Sequence, residues 1–348
     1  MNRRRFLRSK SLAGTLLIPA PEAEPVPGDL TLIRVSRRAM ATTFEIALPY
    51  GTPNAVAAAE DALDLIDAVE DQLTVYRNHS EVSRLNATAA AGPVVVEQNL
   101  FDLLAFSAAL TNDTAGAFDI ATGSLIKAWG FFKREGHVPP AKELAEARAR
   151  SGMRHVVLDA EARTVKYRRA GLEINLGGIG KGYALDLAAE LLRRKWGVAS
   201  ALLHGGGSSA RALGTPPGQP RGWPVAVCHP WDDARTLGTI WLRDEGFGTS
   251  AATFQYFEYK GRKLGHLLDP RTGWPAAGTA AASVVAPTAA AADALSTAFF
   301  VLGAAGAAAH CTPRPDLSAV VLPENDPPVA IGLSADRYDP PTARTIPD

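Results

Sequence analysis

Apolar residues along the chain follow helix-like spacing in some segments and strand-like spacing in others, and the two kinds of segment occur in groups. Recurrence every three or four positions predicts helices over residues 53–73, 100–108, 184–192 and 289–302. Short apolar runs bounded by turn residues predict strands at residues 30–35, 42–48, 156–158, 165–167, 172–176, 201–203, 224–228, 239–242 and 279–285. This grouping favours an α+β fold over a doubly wound parallel sheet, which would need strict alternation.

The densest motif is the glycine-rich run at residues 175–186, which separates a predicted strand from a predicted helix. Its glycines and Lys181 would present backbone N–H groups and a cation at the start of a helix, which suits a phosphate or pyrophosphate. The P-loop pattern fails at Asn175 and Gly182, and the dinucleotide-binding pattern fails at Tyr183. A turn that needs glycine only for its backbone angles is the alternative.

Two further motifs carry side chains suited to proton transfer and metal binding. His266 precedes a turn-forming run at residues 269–273, and an imidazole transfers protons well at neutral pH; a structural histidine is the alternative. Asp293 and Thr297 are four residues apart in a predicted helix, so their oxygens share one face, with Ser296 beside them. Such oxygens suit Mg²⁺, although a helix cap and a hydroxyl bonded to its own turn fit the same spacing.

Composition and charge argue against several classes of function. Lys+Arg and Asp+Glu both number 36, so there is no electrostatic case for binding nucleic acid or an anionic membrane. No apolar run approaches eighteen residues, which predicts that no helix spans a membrane.

Cys228 and Cys311 form no C-x-x-C pair and are interpreted as buried thiols, although export would permit one disulfide. The loop at residues 204–209 lacks the Gly-x-Ser-x-Gly partner that a serine hydrolase needs, and its three glycines indicate close approach to a bulky ligand.

The N-terminal residues 1–28 are interpreted as an export signal and a linker. The run Arg-Arg-Arg-Phe-Leu-Arg at residues 3–8 resembles a twin-arginine signal, and a short apolar stretch and small residues follow it. The interpretation predicts a periplasmic protein that is exported in folded form; a basic tail without signal function is the alternative. Residues 29–312 are predicted to form one domain, and residues 313–348 a Pro-rich extension of it that is irregular at its end.

Taken together, these motifs resemble the ApbE family, the FAD:protein FMN transferases. The matching segments lie in family order over about residues 30–305: 40–46, Tyr76 with 83–86, 117–119, 175–186, the loop from His204, 246–250, 266–273 and 292–297. Ala41 stands where the family usually has glycine, and Gly180 stands where alanine is common.

The resemblance implies a single T-fold-like catalytic domain of antiparallel sheet and helices, which uses Mg²⁺ and takes FAD as its substrate. It assigns His266 as the catalytic base. The residues that it assigns to FAD are Met40, Tyr76, Ala117, Phe118, Asp119, Gly177, Lys181, Tyr183 and Leu268. The residues that it assigns to the metal are Gly180, through its carbonyl, Asp293, Ser296 and Thr297.

The reaction that the resemblance implies is transfer of FMN from FAD to a threonine hydroxyl of a partner flavoprotein, with release of AMP. Export by the twin-arginine route suggests an acceptor in an electron-transfer system, such as that of nitrous oxide reduction. Two alternatives stay open at this level: a Mg²⁺-dependent FAD pyrophosphatase that gives free FMN and AMP, and a flavin-binding carrier without turnover.

Overall fold

A computed structural model describes residues 30–251 and 256–341 of the chain. The predicted export signal and linker, residues 1–28, lie outside the described residues. The helices are α1 (Ala55–Leu73), α2 (Glu81–Thr88), α3 (Gln98–Asp113), α4 (Gly123–Ala128), α5 (Ala141–Arg150), α6 (Gly180–Trp196) and α7 (Ala289–Cys311), with short 3₁₀ helices η1 (Phe131–Lys133) and η2 (Met153–His155). The strands are β1 (Leu32–Ala39), β2 (Thr42–Pro49), β3 (Val94–Val95), β4 (Val156–Asp159), β5 (Thr164–Tyr167), β6 (Ala201–Gly205), β7 (Ser209–Leu213), β8 (Trp223–His229), β9 (Asp232–Leu242), β10 (Gly246–Ala251), β11 (Tyr256–Tyr259), β12 (Arg262–Gly265), β13 (Leu268–Asp269), β14 (Trp274–Pro275), β15 (Thr279–Ala286), β16 (Ser318–Pro323), β17 (Val329–Ile331) and β18 (Tyr338–Asp339).

A central sheet of eight strands organises the molecule, in the order β1-β2-β6-β7-β10-β15-β16-β17. Every neighbouring pair in this sheet is antiparallel. Two smaller sheets have three strands each, β18-β9-β8 and β3-β5-β4, and two further strand pairs are β11-β12 and β13-β14. The predicted α+β class, an antiparallel sheet combined with helices in one domain, is confirmed.

The central sheet is covered on both faces because its strands alternate apolar side chains between the two sides. In β2, Phe44 and Ile46 belong to the main core, which the long helices α1, α6 and α7 complete. Ala47 faces the other way and packs in a second core with Phe247 and Ile240, beneath the sheet β18-β9-β8. The result is a helix layer, a central sheet and a smaller outer sheet.

A small lobe, residues 123–150 and 256–275, has a hydrophobic cluster of its own. Leu125, Trp129 and Phe131 from one segment pack there with Leu264 and Leu268 from the other. The indole N–H of Trp129 also donates to the carbonyl of Gly273 at 2.8 Å. The cluster therefore joins α4, α5 and η1 to the two strand pairs β11-β12 and β13-β14.

Helix α7 is long and apolar enough to cross a membrane by length and composition alone, with a mean hydropathy of 1.5 over its most apolar window. In the structure it packs against α6, β10 and β15 as a core helix, and 44% of that window is buried. Its helical geometry breaks at Gly303, where φ is 71°. The absence of a membrane-spanning helix stays a prediction.

One expectation about secondary structure was wrong, and one strand was not predicted. Residues 172–176 form no strand, because the side chain of Asn86 binds both the N–H and the carbonyl of Ile174, at 2.8 and 2.9 Å. The Pro-rich segment after residue 312 contains β16, which lies inside the central sheet between β15 and β17. Pro315 precedes the apolar run of β16 and Pro323 ends it, so neither proline interrupts the pairing of this strand, which was not among those predicted.

Candidate active site

A cleft of about 270 Å³ opens where the start of α6, strand β10 and helix α7 meet the small lobe. Ten of the fourteen predicted site residues lie on its surface: Ala117, Phe118, Asp119, Gly177, Lys181, His266, Leu268, Asp293, Ser296 and Thr297. The remaining four, Met40, Tyr76, Gly180 and Tyr183, do not line it. The glycine-rich run, the imidazole and the helix-borne oxygens thus share one cavity.

Asp293 is the buried carboxylate of the cleft. Its two oxygens accept hydrogen bonds from the backbone N–H of Gly182, at 2.7 Å, and from the hydroxyl of Ser209, at 2.6 Å. Burial raises the pKa of Asp293 above its usual value, whereas the positive charge of Lys181 and the two hydrogen bonds act in the opposite direction. The carboxylate therefore caps the N-terminus of α6 from the neighbouring helix α7, beside the cation of the cleft.

Helices α6 and α7 approach each other closely enough for their backbones to touch. A β-carbon placed on Gly182 would lie 2.1 Å from the carbonyl oxygen of Ala289. One turn later, the carboxylate of Asp186 accepts hydrogen bonds from the N–H groups of Ala289 and Ala290, at 2.9 and 2.8 Å. The two helix starts are thus locked together, and this contact fixes Lys181 relative to Asp293.

Three hydroxyl groups form a cluster on the cleft wall. The hydroxyl oxygen of Ser250, on β10, lies 2.9 Å from that of Ser296 and 3.2 Å from that of Thr297. The Thr297 hydroxyl donates to the backbone carbonyl of Asp293 at 3.4 Å, which is the bond to its own helical turn that the alternative interpretation expected, and the Ser296 hydroxyl donates to the same carbonyl at 2.8 Å. The wall consequently concentrates hard oxygen atoms of the kind that bind Mg²⁺.

The segment from Ala117 to Asp119 is held in place by its own carboxylate. Asp119 accepts hydrogen bonds from the backbone N–H of Ala121, at 2.7 Å, and of Met153, at 2.9 Å. Burial raises the pKa of Asp119, against the opposing effect of these two bonds. This carboxylate shapes the loop that presents Ala117 and Phe118 to the cleft.

His266 stands on the small lobe, between β12 and β13, and is half-buried. Its ring meets the ring of Phe131 edge-on, with centroids 6.4 Å apart. The turn predicted after it is present: the guanidinium of Arg271 donates twice to the carboxylate of Asp269, both bonds at 2.9 Å, within the β13-β14 hairpin. The histidine therefore lines the cleft from the segment directly before this hairpin.

Two of the predicted flavin residues lie away from the cleft lining. Met40 occupies the tight turn between β1 and β2 with a φ of 50°, and its N–H donates to the carboxylate of Glu70 at 2.6 Å. Tyr76 is 68% exposed and stacks on Phe132, with ring centroids 4.9 Å apart. Their assignment to the flavin stays a prediction.

The other two residues outside the lining belong to α6. Gly180 is the first residue of this helix and is buried. The hydroxyl of Tyr183 points toward α3 and donates to the carbonyl of Asn99 at 3.3 Å, while burial raises the pKa of Tyr183 to about 12. The roles predicted for the Gly180 carbonyl and for Tyr183 stay predictions.

Sequence reasoning did not single out Ser209, Ser250 or Asn86. Each lies in a segment that carries the family resemblance: the glycine loop after His204, the run at residues 246–250 and the run at residues 83–86. Their importance comes from tertiary contacts, such as the Ser209–Asp293 hydrogen bond across 84 residues of sequence. The thiols Cys228 and Cys311 are half-buried and buried.

The fold and the cleft define a class of protein: an α+β protein that can hold a phosphate-bearing ligand between a helix N-terminus and a histidine-bearing lobe. Comparison with known proteins identifies its family. The model of the ApbE family matches residues 40–321. The chain therefore belongs to the ApbE family, and the prediction of a transferase enzyme of this family is confirmed.

Relatives and solved structures agree with this assignment. A "FAD:protein FMN transferase" of Klebsiella pneumoniae is 32% identical over 274 residues, which cover 77% of this chain and 83% of the relative. A second FAD:protein FMN transferase, from Treponema pallidum, is 33% identical over 295 residues, which cover 81% of this chain and 78% of the relative. The crystal structure of the ApbE protein from Thermotoga maritima aligns with a TM-score of 0.79 and 27% identity, over 86% of this chain and 97% of that one. The apo crystal structure of the flavinyl transferase ApbE of Pseudomonas stutzeri aligns with a TM-score of 0.76 and 27% identity, over 87% of this chain and 95% of that one.

Proposed function

We propose that this protein transfers FMN from FAD to a threonine hydroxyl of a partner flavoprotein and releases AMP. The observation that carries the proposal is the shared cavity, in which Lys181, His266 and Asp293 line one cleft. A diphosphate bridge needs a cation beside it, and the hydroxyl that attacks it needs a base. The names of the curated relatives, FAD:protein FMN transferase, support the same activity.

The donor set of the cleft fits Mg²⁺. Asp293 offers a buried carboxylate whose two oxygens each accept one hydrogen bond and keep a further lone pair. Ser296 and Thr297 add hydroxyl oxygens, and the Gly180 carbonyl is the fourth proposed ligand. When bound, Mg²⁺ would supply positive charge next to the phosphate oxygens of FAD.

The side chains of the cleft have separate roles in the proposed reaction. The threonine oxygen forms a bond to the phosphorus on the riboflavin side, and the bond from this phosphorus to the AMP phosphate breaks. His266 takes the hydroxyl proton, since a neutral hydroxyl is a weak nucleophile. Lys181, which lines the cleft, binds the charge that develops on the leaving AMP, since the N–H groups of Gly180, Gly182 and Tyr183 already donate within the protein.

The test incubates the protein with FAD, Mg²⁺ and threonine-bearing fragments of candidate flavoproteins, and reads flavin fluorescence on denaturing gels. Covalent label on the fragment together with AMP release supports transfer. Free FMN and AMP without label would indicate a pyrophosphatase, and FAD binding without AMP release would indicate a carrier.

A histidine variant tests the base. His266→Ala should bind FAD normally but transfer FMN about 10²–10⁴ times more slowly. His229→Ala is the matched control: His229 is also half-buried with an aromatic edge contact, to Trp231 at 5.8 Å, but lies on the outer sheet. Near-normal transfer by His266→Ala would remove this residue from the mechanism.

We also propose that the protein acts in the periplasm after twin-arginine export, on an acceptor of an electron-transfer system such as that of nitrous oxide reduction. The support is the basic run at residues 3–8. Replacing Arg3, Arg4 and Arg5 with lysine should retain the protein in the cytoplasm, as read by cell fractionation. Unchanged export of this variant would contradict the route.

A further inference from the structure

The charge of the protein is divided unevenly between its parts. The whole chain is neutral, with 36 basic and 36 acidic residues. The small lobe, residues 123–150 and 256–275, contains ten lysines and arginines but only five aspartates and glutamates, a net charge of +5. This lobe is the wall of the cleft that carries His266. An excess of one sign beside an active site creates a field that acts on incoming partners.

Four cations of the lobe, Lys133, Arg134, Lys260 and Lys263, form a surface that we call the basic rim. All four are exposed, and within the described part of the chain none of them is in an ion pair. The ammonium groups of Lys260 and Lys263 lie over the rings of Tyr259 and Tyr256, at 5.3 and 5.1 Å from the centroids. Such contacts orient the two cations without pairing them with a carboxylate.

The basic rim adjoins the proposed catalytic histidine. Lys133 is the last residue of η1. Phe131, the first residue of this short helix, contacts the ring of His266 edge-on, with ring centroids 6.4 Å apart. Lys263 stands three residues before His266, on β12. The rings of Phe131 and Phe257, 6.0 Å apart, join η1 to the β11-β12 hairpin. Lys133 and Lys263 therefore lie on the two segments next to His266, and Arg134 and Lys260 extend the rim from them along the small lobe.

The acidic part of the protein is organised differently. Helix α1 carries six acidic residues and no basic one. Most of them are neutralised locally: Arg37 pairs with both Asp64 and Asp67, and Arg77 pairs with both Glu70 and Asp71. Five of the six acids of α1 are therefore ion-paired, Asp61 with Lys195, whereas among the described residues no rim cation forms an ion pair, although Glu258 is the cross-strand neighbour of Lys263.

We propose that the basic rim docks the acceptor protein through an acidic face next to the hydroxyl that receives FMN. This proposal rests on the proposed function, since it names the side from which that acceptor approaches. Charges at the edge of an interface act mainly on association rate and on its salt dependence. Steering of this kind raises association rates by about 10- to 1,000-fold at low ionic strength.

Binding is tested separately from transfer, with two fluorescein-labelled peptides as probes. Both contain the same central threonine; one is flanked by four aspartates and the other by four lysines. Fluorescence anisotropy at low salt should show tighter binding of the acidic peptide. Lys133→Glu/Arg134→Glu should weaken that binding about tenfold or more and flatten its salt dependence. The matched control, Lys166→Glu/Arg169→Glu, makes the same charge change at exposed residues on and beside β5 and should bind as the wild type does.

Several results would overturn the docking proposal. These are equal binding of the two peptides, an unchanged affinity in Lys133→Glu/Arg134→Glu, and an equal loss in the control. A salt-sensitive dimer in sedimentation that the rim variant abolishes would assign the rim to a second copy of the chain instead. Failure of the proposed function is distinguishable: the acidic peptide would bind at the rim, but no acceptor would gain FMN in the presence of FAD.

Discussion

Replacing Gly182 with alanine tests whether the close contact between α6 and α7 is needed, because the added methyl group worsens this packing while it improves helix propensity. The β-carbon of Gly182→Ala would lie 2.1 Å from the carbonyl oxygen of Ala289 and 2.3 Å from its carbonyl carbon. Ordinary contact begins at 3.4 Å, so the start of α6 must move about 1.3 Å away from α7, the difference between these distances. That movement would stretch the 2.7 Å hydrogen bond from Gly182 to the buried carboxylate of Asp293.

The magnitude follows from two opposing terms. Forcing a methylene-sized group into a packed contact costs about 1–3 kcal/mol, and the backbone partner here cannot rotate away, so about 3 kcal/mol applies. Alanine regains about 1 kcal/mol over glycine within a helix. We therefore expect Gly182→Ala to lower the free energy of unfolding by about 2 kcal/mol. Because Lys181 moves with its neighbour, FMN transfer should fall by about 10²-fold.

Gly180→Ala is the matched control, on the same helix two residues earlier. Its β-carbon would meet nothing closer than Leu73 Cδ1 at 3.8 Å and Leu176 Cβ at 4.0 Å. This variant should unfold at the wild-type urea concentration or slightly above it, as followed by tryptophan fluorescence, and keep its activity. Equal destabilisation by the two substitutions, or a wild-type unfolding curve for Gly182→Ala, would refute the packing argument.

Three further substitutions test separate features. Ala41→Gly should raise the free energy of unfolding by about 1 kcal/mol in urea unfolding, because Ala41 has a φ of 62°, a region costly for residues other than glycine; no gain would contradict the strain. Ser250→Ala removes the hydroxyl that contacts Thr297 and should raise the Mg²⁺ concentration needed for half-maximal transfer, whereas Ser250→Thr should not. The imidazole of His204, 3.3 Å away, and the guanidinium of Arg34 lower the pKa of Glu45 to about 2. The stability from this charge is therefore present above pH 4.5 and lost as the pH falls through 2. The difference in unfolding free energy between wild type and Glu45→Gln should consequently shrink between these two pH values. A difference that stays constant with pH would contradict this reasoning.

Elements that are decided by local pattern were predictable from the sequence. The helix predicted at residues 53–73 is α1, and the one at 289–302 is the first part of α7, since apolar spacing alone sets their buried faces. Their limits were less accurate: α7 continues to Cys311 past the break at Gly303. The order of the central sheet was not predictable, because a pair such as Glu45 and His204 joins strands from distant parts of the chain.

The candidate site, like the fold, was predictable where a short local motif decides it and not where distant segments meet. Residue types with an evident chemistry, such as Lys181, His266 and Asp293, could be selected from short motifs. Their convergence could not, since the contact between Gly182 and Asp293 spans 111 residues. The supporting hydroxyl of Ser250 carries no signal in sequence beyond its motif, because serine is as common on surfaces as in sites.

The charge of the cleft matches the charge of the substrate proposed for it. Across residues 30–251 and 256–341 no group of three or more histidine, cysteine, aspartate or glutamate residues could hold a metal ion alone. A diphosphate brings its own anionic oxygens, so a cluster of carboxylates beside it would add repulsion. One buried carboxylate, Asp293, is enough to balance Lys181, and neutral hydroxyls can complete a set of oxygen ligands without further charge. A cleft built in this way places one carboxylate and neutral hydroxyls beside the position proposed for the diphosphate, which keeps repulsion of the substrate low.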